Sequence, residues 1–289
     1  MTLDGHIHIN EGKVNKNDFA GKLKAGGIDG GVILSLPPSS FIHSGKTYTA
    51  CERLDNLFIW AGSCPNLYPF FWIDPTEEDA DEQVDMAVKL GVCGFKVICN
   101  HFYPGDSHAV EIYKIIAGVG KPILFHSGIL WDGQNSSKYN RPAEFEALLD
   151  VDGLKFALAH VSWPWCEENI AVYGKFLNAY TGRPDLSVEM FIDITPGTPP
   201  VYRNEVLTKL FTIGYDVANN IIFGTDCIVN DYNYKGAQEW IERDNQIYNG
   251  LNLDKEVQEG IYSENLKRFL GISTSKVQKK ILRQGEWIS

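Results

Sequence analysis

The sequence predicts an α/β protein that folds as a single (β/α)8 TIM-like barrel without a flanking β-sandwich. Eight short runs rich in Val, Ile, Leu and Phe alternate with longer amphipathic segments along the whole chain, which is typical of parallel βαβ units. The length of 289 residues suits one barrel of about 250 residues with extensions. No GxGxxG follows a predicted strand and neither GxxxxGKS nor GxxxxGKT occurs, which argues against an open nucleotide-binding sheet.

The predicted strands and helices alternate as far as the last two helices, and turn residues mark several of their boundaries. The first helix ends at the glycine pair 26–27, and the third begins after the Asp-Pro-Thr turn at 74–76, where two glutamates suit a helix N-terminus. The predicted strands are 2–9, 31–36, 69–73, 92–99, 122–126, 154–160, 186–192 and 221–224. The predicted helices are 16–25, 44–62, 77–90, 107–119, 141–149, 165–180, 201–215, 235–250 and 255–270. The barrel domain therefore spans 1–272, and a C-terminal helical extension spans 273–289.

The composition excludes several classes of protein. With 44% hydrophobic and 22% charged residues, the chain has more apolar content than a disordered protein. The formal net charge is −11 and basic residues cluster only in the tail, which argues against nucleic-acid binding. We therefore expect no nucleic acid among its partners. Basic and apolar residues alternate in the tail, which we expect to dock on the barrel or on a neighbouring subunit of a homo-oligomer.

Cysteine usage and hydropathy indicate the compartment. The six cysteines form no CxxC pair, and the chain opens without the charged and apolar regions of a signal peptide. No run approaches 18 consecutive apolar residues, so no membrane span is expected. These features predict a reduced, cytoplasmic protein.

The first predicted strand carries two histidines at its carboxyl end. Residues two apart on a strand project to the same face, so His6 and His8 share one space, which in a barrel is the interior. Two buried imidazoles are costly without a partner, and a divalent cation can satisfy both. Alone, an HxH pattern is weak evidence, because it also occurs in surface strands.

Three later strands also end in a titratable residue. His126 follows the fifth apolar run, His160 ends the sixth, and Asp226 follows the eighth. Such positions face the loops where the active sites of barrels lie. Each residue alone is explained by a cap on its strand, but five nitrogen and oxygen donors in this order favour a site for zinc, iron(II) or manganese.

The motifs that surround these residues recur in one known superfamily. They are His6-Ile7-His8, Gly94-Phe95-Lys96-Val97, the stretch 113–128 ending in Phe125-His126-Ser127-Gly128, Ala159-His160-Val161, Phe223-Gly224-Thr225-Asp226 and the closing segment 261–271. With them the chain resembles the amidohydrolase superfamily, and within it the amidohydrolase-related group of single-domain metal hydrolases and nonoxidative decarboxylases. The resemblance spans most of the chain. Because the first metal motif begins as early as Asp4, the resemblance implies a barrel without a flanking β-sandwich.

The resemblance also implies roles for individual residues. His6, His8, His126 and Asp226 would bind one divalent metal ion, with Zn²⁺ preferred and Mn²⁺ or Fe²⁺ as alternatives. Asp226 would also move the proton of a metal-activated water. His160 would bind the metal or polarise the substrate. Metal binding lowers the pKa of water from about 15.7 towards 7, which agrees with these roles.

Lys96 on the fourth strand has three interpretations. In two-metal members of the superfamily a lysine here is carboxylated and bridges both ions. In the single-metal group, which the Gly-Phe-Lys segment resembles, it stays a free ammonium near the cavity and would suit an anionic substrate. As a packing residue, it would pair with a carboxylate of the barrel. We predict that Lys96 is a free ammonium near the cavity.

The loops after the predicted strands are rich in aromatic residues that could contact a planar or apolar substrate. We expect Tyr103, Trp131 and Trp163, with Lys96, to bind substrate. Other loop aromatics are Trp165, Tyr232 and Tyr234. The proline-stiffened segment 195–200 should form a fixed wall with Asp193 at its base, and the polar loop 131–138 is either a lid or a flexible connection without function.

Three functions remain open from the sequence. The first is a metal-dependent hydrolase of a small-molecule amide, lactone or ester. The second is a metal-dependent nonoxidative decarboxylase of a small, including an aromatic, carboxylic acid, in which His160 and either Lys96 or Arg141 would act on the carboxylate. The third is a barrel whose metal is not catalytic.

Overall fold

Parallel strands form the centre of the molecule. In this computed structural model residues 1–41 and 46–272 are described; His43 and the extension predicted at 273–289 lie outside them. Within the described residues the strands are β1 (Leu3–His8), β2 (Gly30–Leu34), β3 (Leu67–Trp72), β4 (Gly94–Val97), β5 (Ile123–Phe125), β6 (Lys155–Leu158), β7 (Glu189–Asp193), β8 (Ile221–Ile222) and β9 (Cys227–Ile228). Neighbours along the chain pair in parallel from β1 to β8.

The sheet closes through two short strands: β8, which lies within the eighth predicted strand, and β9, which lies beyond its predicted end. β8 pairs with β7, and β9 pairs with β1. Between them the Gly5 amide donates to the Phe223 carbonyl at 2.8 Å, and the Asp226 amide donates to the His6 carbonyl at 3.0 Å. A Cβ on Gly5 would lie 2.6 Å from the side chain of Ile222, so this approach requires glycine. The predicted (β/α)8 barrel is confirmed.

Helices surround the strands. They are α1 (Lys16–Ala25), α2 (Ala50–Ala61), α3 (Ala80–Leu90), α4 (Ser107–Gly118), α5 (Cys166–Gly182), α6 (Pro200–Thr212), α7 (Tyr234–Gly250), α8 (Lys255–Glu259) and α9 (Asn265–Phe269). The predicted helix at 141–149 is instead a 3₁₀ helix over Pro142–Asp150, and the last predicted helix is interrupted by a π turn over Gly260–Glu264. α2 begins later than predicted because Thr49 and Glu52 form a capping box at its N-terminus. None of the described helices is both long and apolar enough to cross a membrane.

The two larger apolar clusters of the described residues fill the space around the strands and at the amino end of the barrel. The larger cluster lies between the strands and the surrounding helices. The smaller fills the interior at the amino end, where Leu266 and Phe269 of α9 pack beneath side chains from the strands. Polar side chains at the carboxyl ends of the strands therefore face the open end of the barrel.

A bulge changes which face the residues of β1 present. Leu3 packs in the interior cluster, whereas Ile7 packs outward against the helices. The register with β2 shifts between Asp4 and Ile7. Because strand side chains alternate, this shift lets Leu3 and the even-numbered His6 and His8 all face the interior.

Candidate metal centre

Three side chains converge at the open end of the barrel. His6 Nε2 lies 3.1 Å from His8 Nε2, and these atoms lie 3.6 Å and 3.3 Å from Asp226 Oδ1. His6 and His8 share a face of β1, and Asp226 lies in the break between β8 and β9 with a φ of 60°. That left-handed conformation is uncommon for a residue other than glycine and is found at functional sites.

The spacing of these atoms fits one bound ion. Two ligands about 2.1 Å from the same ion, at 90–120° to one another, lie about 3.0–3.6 Å apart. A divalent cation is the partner that two imidazole nitrogens and a carboxylate oxygen can share, and this donor set suits zinc, iron(II) or manganese. His6, His8 and Asp226 therefore fit as ligands of one metal.

His160 reaches the same place from an unusual backbone turn. His160, Val161 and Ser162 all have positive φ, between 44° and 63°. The Nδ1, Nε2 or carboxylate atoms that His160, His6 and Asp226 offer lie within 4.8 Å of one another. His160 is buried, and its Nδ1 has no hydrogen-bond partner among the described residues. An unpaired buried nitrogen is costly, so this atom is available to a metal or a substrate.

His126 lies beside His160 but points differently. The two ring centroids are 5.0 Å apart. His126 Nε2 lies 3.2 Å from the carbonyl oxygen of Ile129, a hydrogen-bond distance. The structure therefore brings four of the five predicted ligand residues together, namely His6, His8, His160 and Asp226. It places His126 at the edge of this group.

Asp193, at the end of β7, fixes His6. Its Oδ2 lies 2.8 Å from His6 Nδ1, and its Oδ1 accepts the Thr195 amide at 2.6 Å. A carboxylate at Nδ1 holds the proton there and leaves Nε2 with its lone pair, which is the form that binds a metal. The sequence singled out Asp193 only as a polar residue at the base of a loop.

Lys96 is fully buried at the end of β4. Its Nζ lies 3.3 Å from His6 Nε2, and no carboxylate of the described residues lies within 4.0 Å of it. Burial lowers the pKa of Lys96 to about 8, although Asp226 and Asp193 act to raise it. The interpretation as a packing residue paired with a carboxylate does not match this environment.

Burial and charge set the protonation of the site. Burial lowers the pKa of His6 and His126 well below the usual histidine value and also lowers that of His160, so all three imidazoles are neutral near pH 7. Burial acts to raise the pKa of Asp226, but the hydrogen bond with His8 and the neighbouring histidines outweigh it and hold that pKa well below its usual range. Neutral histidines and an ionised carboxylate are the forms that bind metal.

The lowered pKa of His126 predicts a pH-dependent stability of the metal-free protein. The folded state has the lower pKa, so below about pH 6.5 the unfolded chain binds a proton that the folded chain does not, and stability falls as the pH falls. We expect the wild type to lose about 1.4 kcal/mol more per pH unit than His126→Gln in this range. Urea unfolding of both proteins between about pH 5 and 7 measures this difference in the free energy of unfolding.

The comparison with His126→Gln is needed because other groups titrate in the same range. Burial raises the pKa of Asp4 and Asp193, so these two carboxyls favour the folded state on acidification and partly mask the histidines. Asp4 and Asp193 are present in the wild type and in His126→Gln, so their contributions cancel in the difference between the two proteins. Parallel curves of unfolding free energy against pH would contradict the prediction.

A cavity of about 820 Å³ opens above these residues. One wall is apolar: Trp72 lies edge-on to His8 with ring centroids 5.9 Å apart, and Phe41 packs against Trp72 at 4.8 Å. Lys96 and Lys46 supply positive charge to the lining. A cavity of this size and polarity suits a small organic ligand.

The predicted substrate contacts divide between the cavity and other places. Trp131, 80% exposed, and Trp163 line the cavity. Tyr103 instead packs edge-on against Tyr139, outside the cavity lining, so its position gives no support to a substrate contact. Tyr232 is buried and bonds to Asp4, because the chain turns back under the site after β9.

Other residues of the site gave too weak a sequence signal to be found. Trp72 ends β3 in an unbroken apolar run, which looks like ordinary core. Pro196 and Gly197 belong to the predicted fixed wall and line the cavity; a Cβ on Gly197 would lie 2.7 Å from that of His160. Asp4 lies below the site, where burial raises its pKa to about 7 and hydrogen bonds from Thr225, His6 and Tyr232 act in the opposite direction.

Comparison with known families gives one match. A family model described as amidohydrolase matches residues 43–272. No curated protein matches the chain.

Solved structures share the fold at low sequence identity. An uncharacterized TIM-barrel protein from Bordetella bronchiseptica is 18% identical with a TM-score of 0.68, over 94% of this chain and 98% of that one. A 2,6-dihydroxybenzoate decarboxylase complexed with 2,6-dihydroxybenzoate is 15% identical with a TM-score of 0.63, over 94% and 98%. A dihydroorotase from Campylobacter jejuni is 14% identical with a TM-score of 0.58, over 95% and 84%. These likenesses support the fold.

Proposed function

This chain belongs to the amidohydrolase family, and we propose that it is a metal-dependent hydrolase that cleaves an amide, lactone or ester bond of a small molecule. The observation that carries the proposal is the meeting of His6 Nε2, His8 Nε2 and Asp226 Oδ1 within 3.6 Å of one another below a cavity. Members of this superfamily are enzymes. The dihydroorotase named above shows that the fold can carry a hydrolase.

His6, His8 and Asp226 would hold the ion, and His126 or His160 would complete its ligands. When bound, the ion supplies Lewis acidity and lowers the pKa of a water towards 7. Asp193 keeps the Nε2 of His6 free for the metal through the contact at Nδ1.

Asp226 would act as the proton carrier. Its side chain is 38% exposed and lines the cavity, and its low pKa keeps it ionised at neutral pH. A carboxylate oxygen beside both a ligand histidine and the cavity can take a proton from water and give it to the leaving group.

His160 would hold the substrate. Its neutral imidazole lines the cavity and leaves Nδ1 without a partner among the described residues. A neutral imidazole carries one N–H, and with the proton on the ring nitrogen that reaches the cavity, His160 would donate a hydrogen bond to the oxygen on which negative charge develops.

The lining indicates an anionic substrate with an apolar part. Lys96 is a buried cation without a carboxylate partner in the described chain, and a substrate anion would supply one. The wall of Trp72 and Phe41 would pack against a planar or aliphatic group.

Replacement of the buried ammonium is expected to weaken substrate binding. In Lys96→Met the anionic substrate loses a charged hydrogen bond of about 1.5–3 kcal/mol, so KM rises about 10- to 100-fold. Steady-state kinetics on an anionic substrate and its neutral ester analogue measure the effect, which should be small for the ester. The matched control is Lys24→Met, since Lys24 is exposed on α1. Equal effects on both substrates would contradict the assignment.

The second candidate is a nonoxidative decarboxylase, and the unpaired Lys96 is the observation that favours it. A cation beside the metal ligands could hold the carboxylate that leaves as CO₂, while a proton would be delivered to the carbon through His160. Arg141 does not share this role, because its guanidinium bonds to Glu168 outside the cavity. The decarboxylase named above shows that the fold can carry this chemistry as well.

Product analysis separates the two reactions. A panel of esters, lactones, amides and aromatic carboxylic acids is incubated with the metal-loaded protein in H₂¹⁸O. A hydrolase places one ¹⁸O atom in the new carboxylate and releases no CO₂. Release of CO₂ with no ¹⁸O in the organic product would replace the hydrolase with the decarboxylase.

A further inference from the structure

Asp4 receives an unusual number of hydrogen bonds for a side chain that does not line the cavity. The carboxylate is fully buried. Its Oδ1 accepts the backbone amides of His6 at 3.0 Å and Thr225 at 2.9 Å. Its Oδ2 accepts the hydroxyls of Thr225 at 2.5 Å and Tyr232 at 2.8 Å. Four donors fill the acceptor sites of one carboxylate.

The bulge in β1 creates the need for this carboxylate. Where the register with β2 shifts, the His6 amide points to Asp4. A buried amide without an acceptor is destabilising, because it has lost its hydrogen bond to water. Asp4 therefore stabilises the bulge that turns His6 and His8 into the barrel.

The same carboxylate holds the segment that carries the other metal ligand. Thr225 precedes Asp226, and both its amide and its hydroxyl are bound to Asp4. The Asp226 amide in turn donates to the His6 carbonyl at 3.0 Å. One side chain thus joins the backbone on either side of the gap between His6 and Asp226.

We propose that Asp4 is a positioning residue that sets the spacing between His6 and Asp226 and thereby the affinity of the metal site. This inference rests on the proposed metal-dependent function. Tyr232 belongs to the same hydrogen-bond network, because its hydroxyl, in the loop after β9, donates to Asp4 Oδ2. Residues that orient metal ligands typically change metal affinity about 10- to 100-fold when they are altered.

Asp4→Asn is the variant that separates positioning from packing. The amide has nearly the shape of the carboxylate, and its oxygen can still accept the two backbone amides. Its NH₂ group would face the hydroxyls of Thr225 and Tyr232, which can rotate to accept. We therefore expect a folded protein in which the hydroxyls of Thr225 and Tyr232 no longer donate to a carboxylate oxygen and the segment carrying Asp226 is held less firmly.

The test measures the dissociation constant for Zn²⁺ by competition with a chromophoric chelator, and the thermal midpoint of the metal-free protein. We expect the Kd to rise about 10- to 100-fold in Asp4→Asn and to rise less in Tyr232→Phe. The control Asp18→Asn, in an exposed ion pair on α1, should keep the wild-type value. The d–d absorption of the Co²⁺-loaded protein should change in Asp4→Asn, because ligand geometry sets it.

The outcomes distinguish this inference from the proposed function. If Asp4→Asn has a lower thermal midpoint but the wild-type Kd and Co²⁺ spectrum, Asp4 is structural only and the inference is wrong. If Asp4→Asn does not fold, Tyr232→Phe and Thr225→Val decide by the same criterion. Failure of the wild type itself to bind Zn²⁺ would overturn the metal-dependent function.

Discussion

Asp226→Asn is expected to lower kcat/KM about 10²- to 10⁴-fold, because the variant has no carboxylate to take the proton of the attacking water. The amide keeps the size of the side chain and one oxygen, so the protein should fold. The assay is run at saturating metal, since the amide is also a weaker ligand than the carboxylate. Rates are measured on a substrate identified by the product analysis.

The matched control is Asp231→Asn. Asp231 lies five residues further along the same segment, but its side chain is 88% exposed and contacts only Lys22 among the pairs described, at 3.7 Å. We expect this variant to keep the wild-type kcat/KM. Full activity of Asp226→Asn with its metal bound would remove Asp226 from the mechanism, and activity lost equally in both variants would point to a general effect on the protein.

Removal of the metal is expected to abolish turnover and to destabilise the fold. A ligand that binds only the folded state, present at about 1,000 times its Kd, adds about 4 kcal/mol to the free energy of unfolding. Without it, the imidazoles of His6, His8 and His160 and the carboxylate of Asp226 lie together at the open end of the barrel. Chelation should therefore lower the denaturation midpoint, and one equivalent of Zn²⁺ should restore both midpoint and activity.

The variant His8→Gln provides the comparison for chelation. It removes one ligand at the exposed end of β1 but leaves Asp193 and its contact with His6 in place. We expect the chelator to change the denaturation midpoint of this variant far less than that of the wild type. A midpoint that does not respond to chelator in the wild type would contradict a metal held by these residues.

The sequence was most informative at the ends of strands. His6, His8, His160 and Asp226 each follow or end an apolar run, and the topology of a parallel barrel brings such positions to one rim. Strand pairing in chain order follows from the alternation of strands and helices. These properties depend on local pattern and on topology, so they can be predicted without knowing any side-chain contact.

Contacts between distant segments could not be predicted from pattern. The bulge at Asp4 depends on donors from Thr225 and Tyr232, more than 200 positions away. Tyr103 and Tyr232 both follow strands, but one packs on Tyr139 and the other turns under the site, because loop direction is not encoded in periodicity. Trp72 was missed because a tryptophan in an apolar run is indistinguishable from core.

The most direct test of the central claim is a crystal structure of the Zn²⁺-loaded protein with anomalous diffraction data at the zinc edge. The account predicts one anomalous peak per chain, about 2.0–2.2 Å from His6 Nε2, His8 Nε2 and an oxygen of Asp226. His126 or His160 would then complete the coordination. No peak at this position, or a peak bound only by other residues, would contradict it.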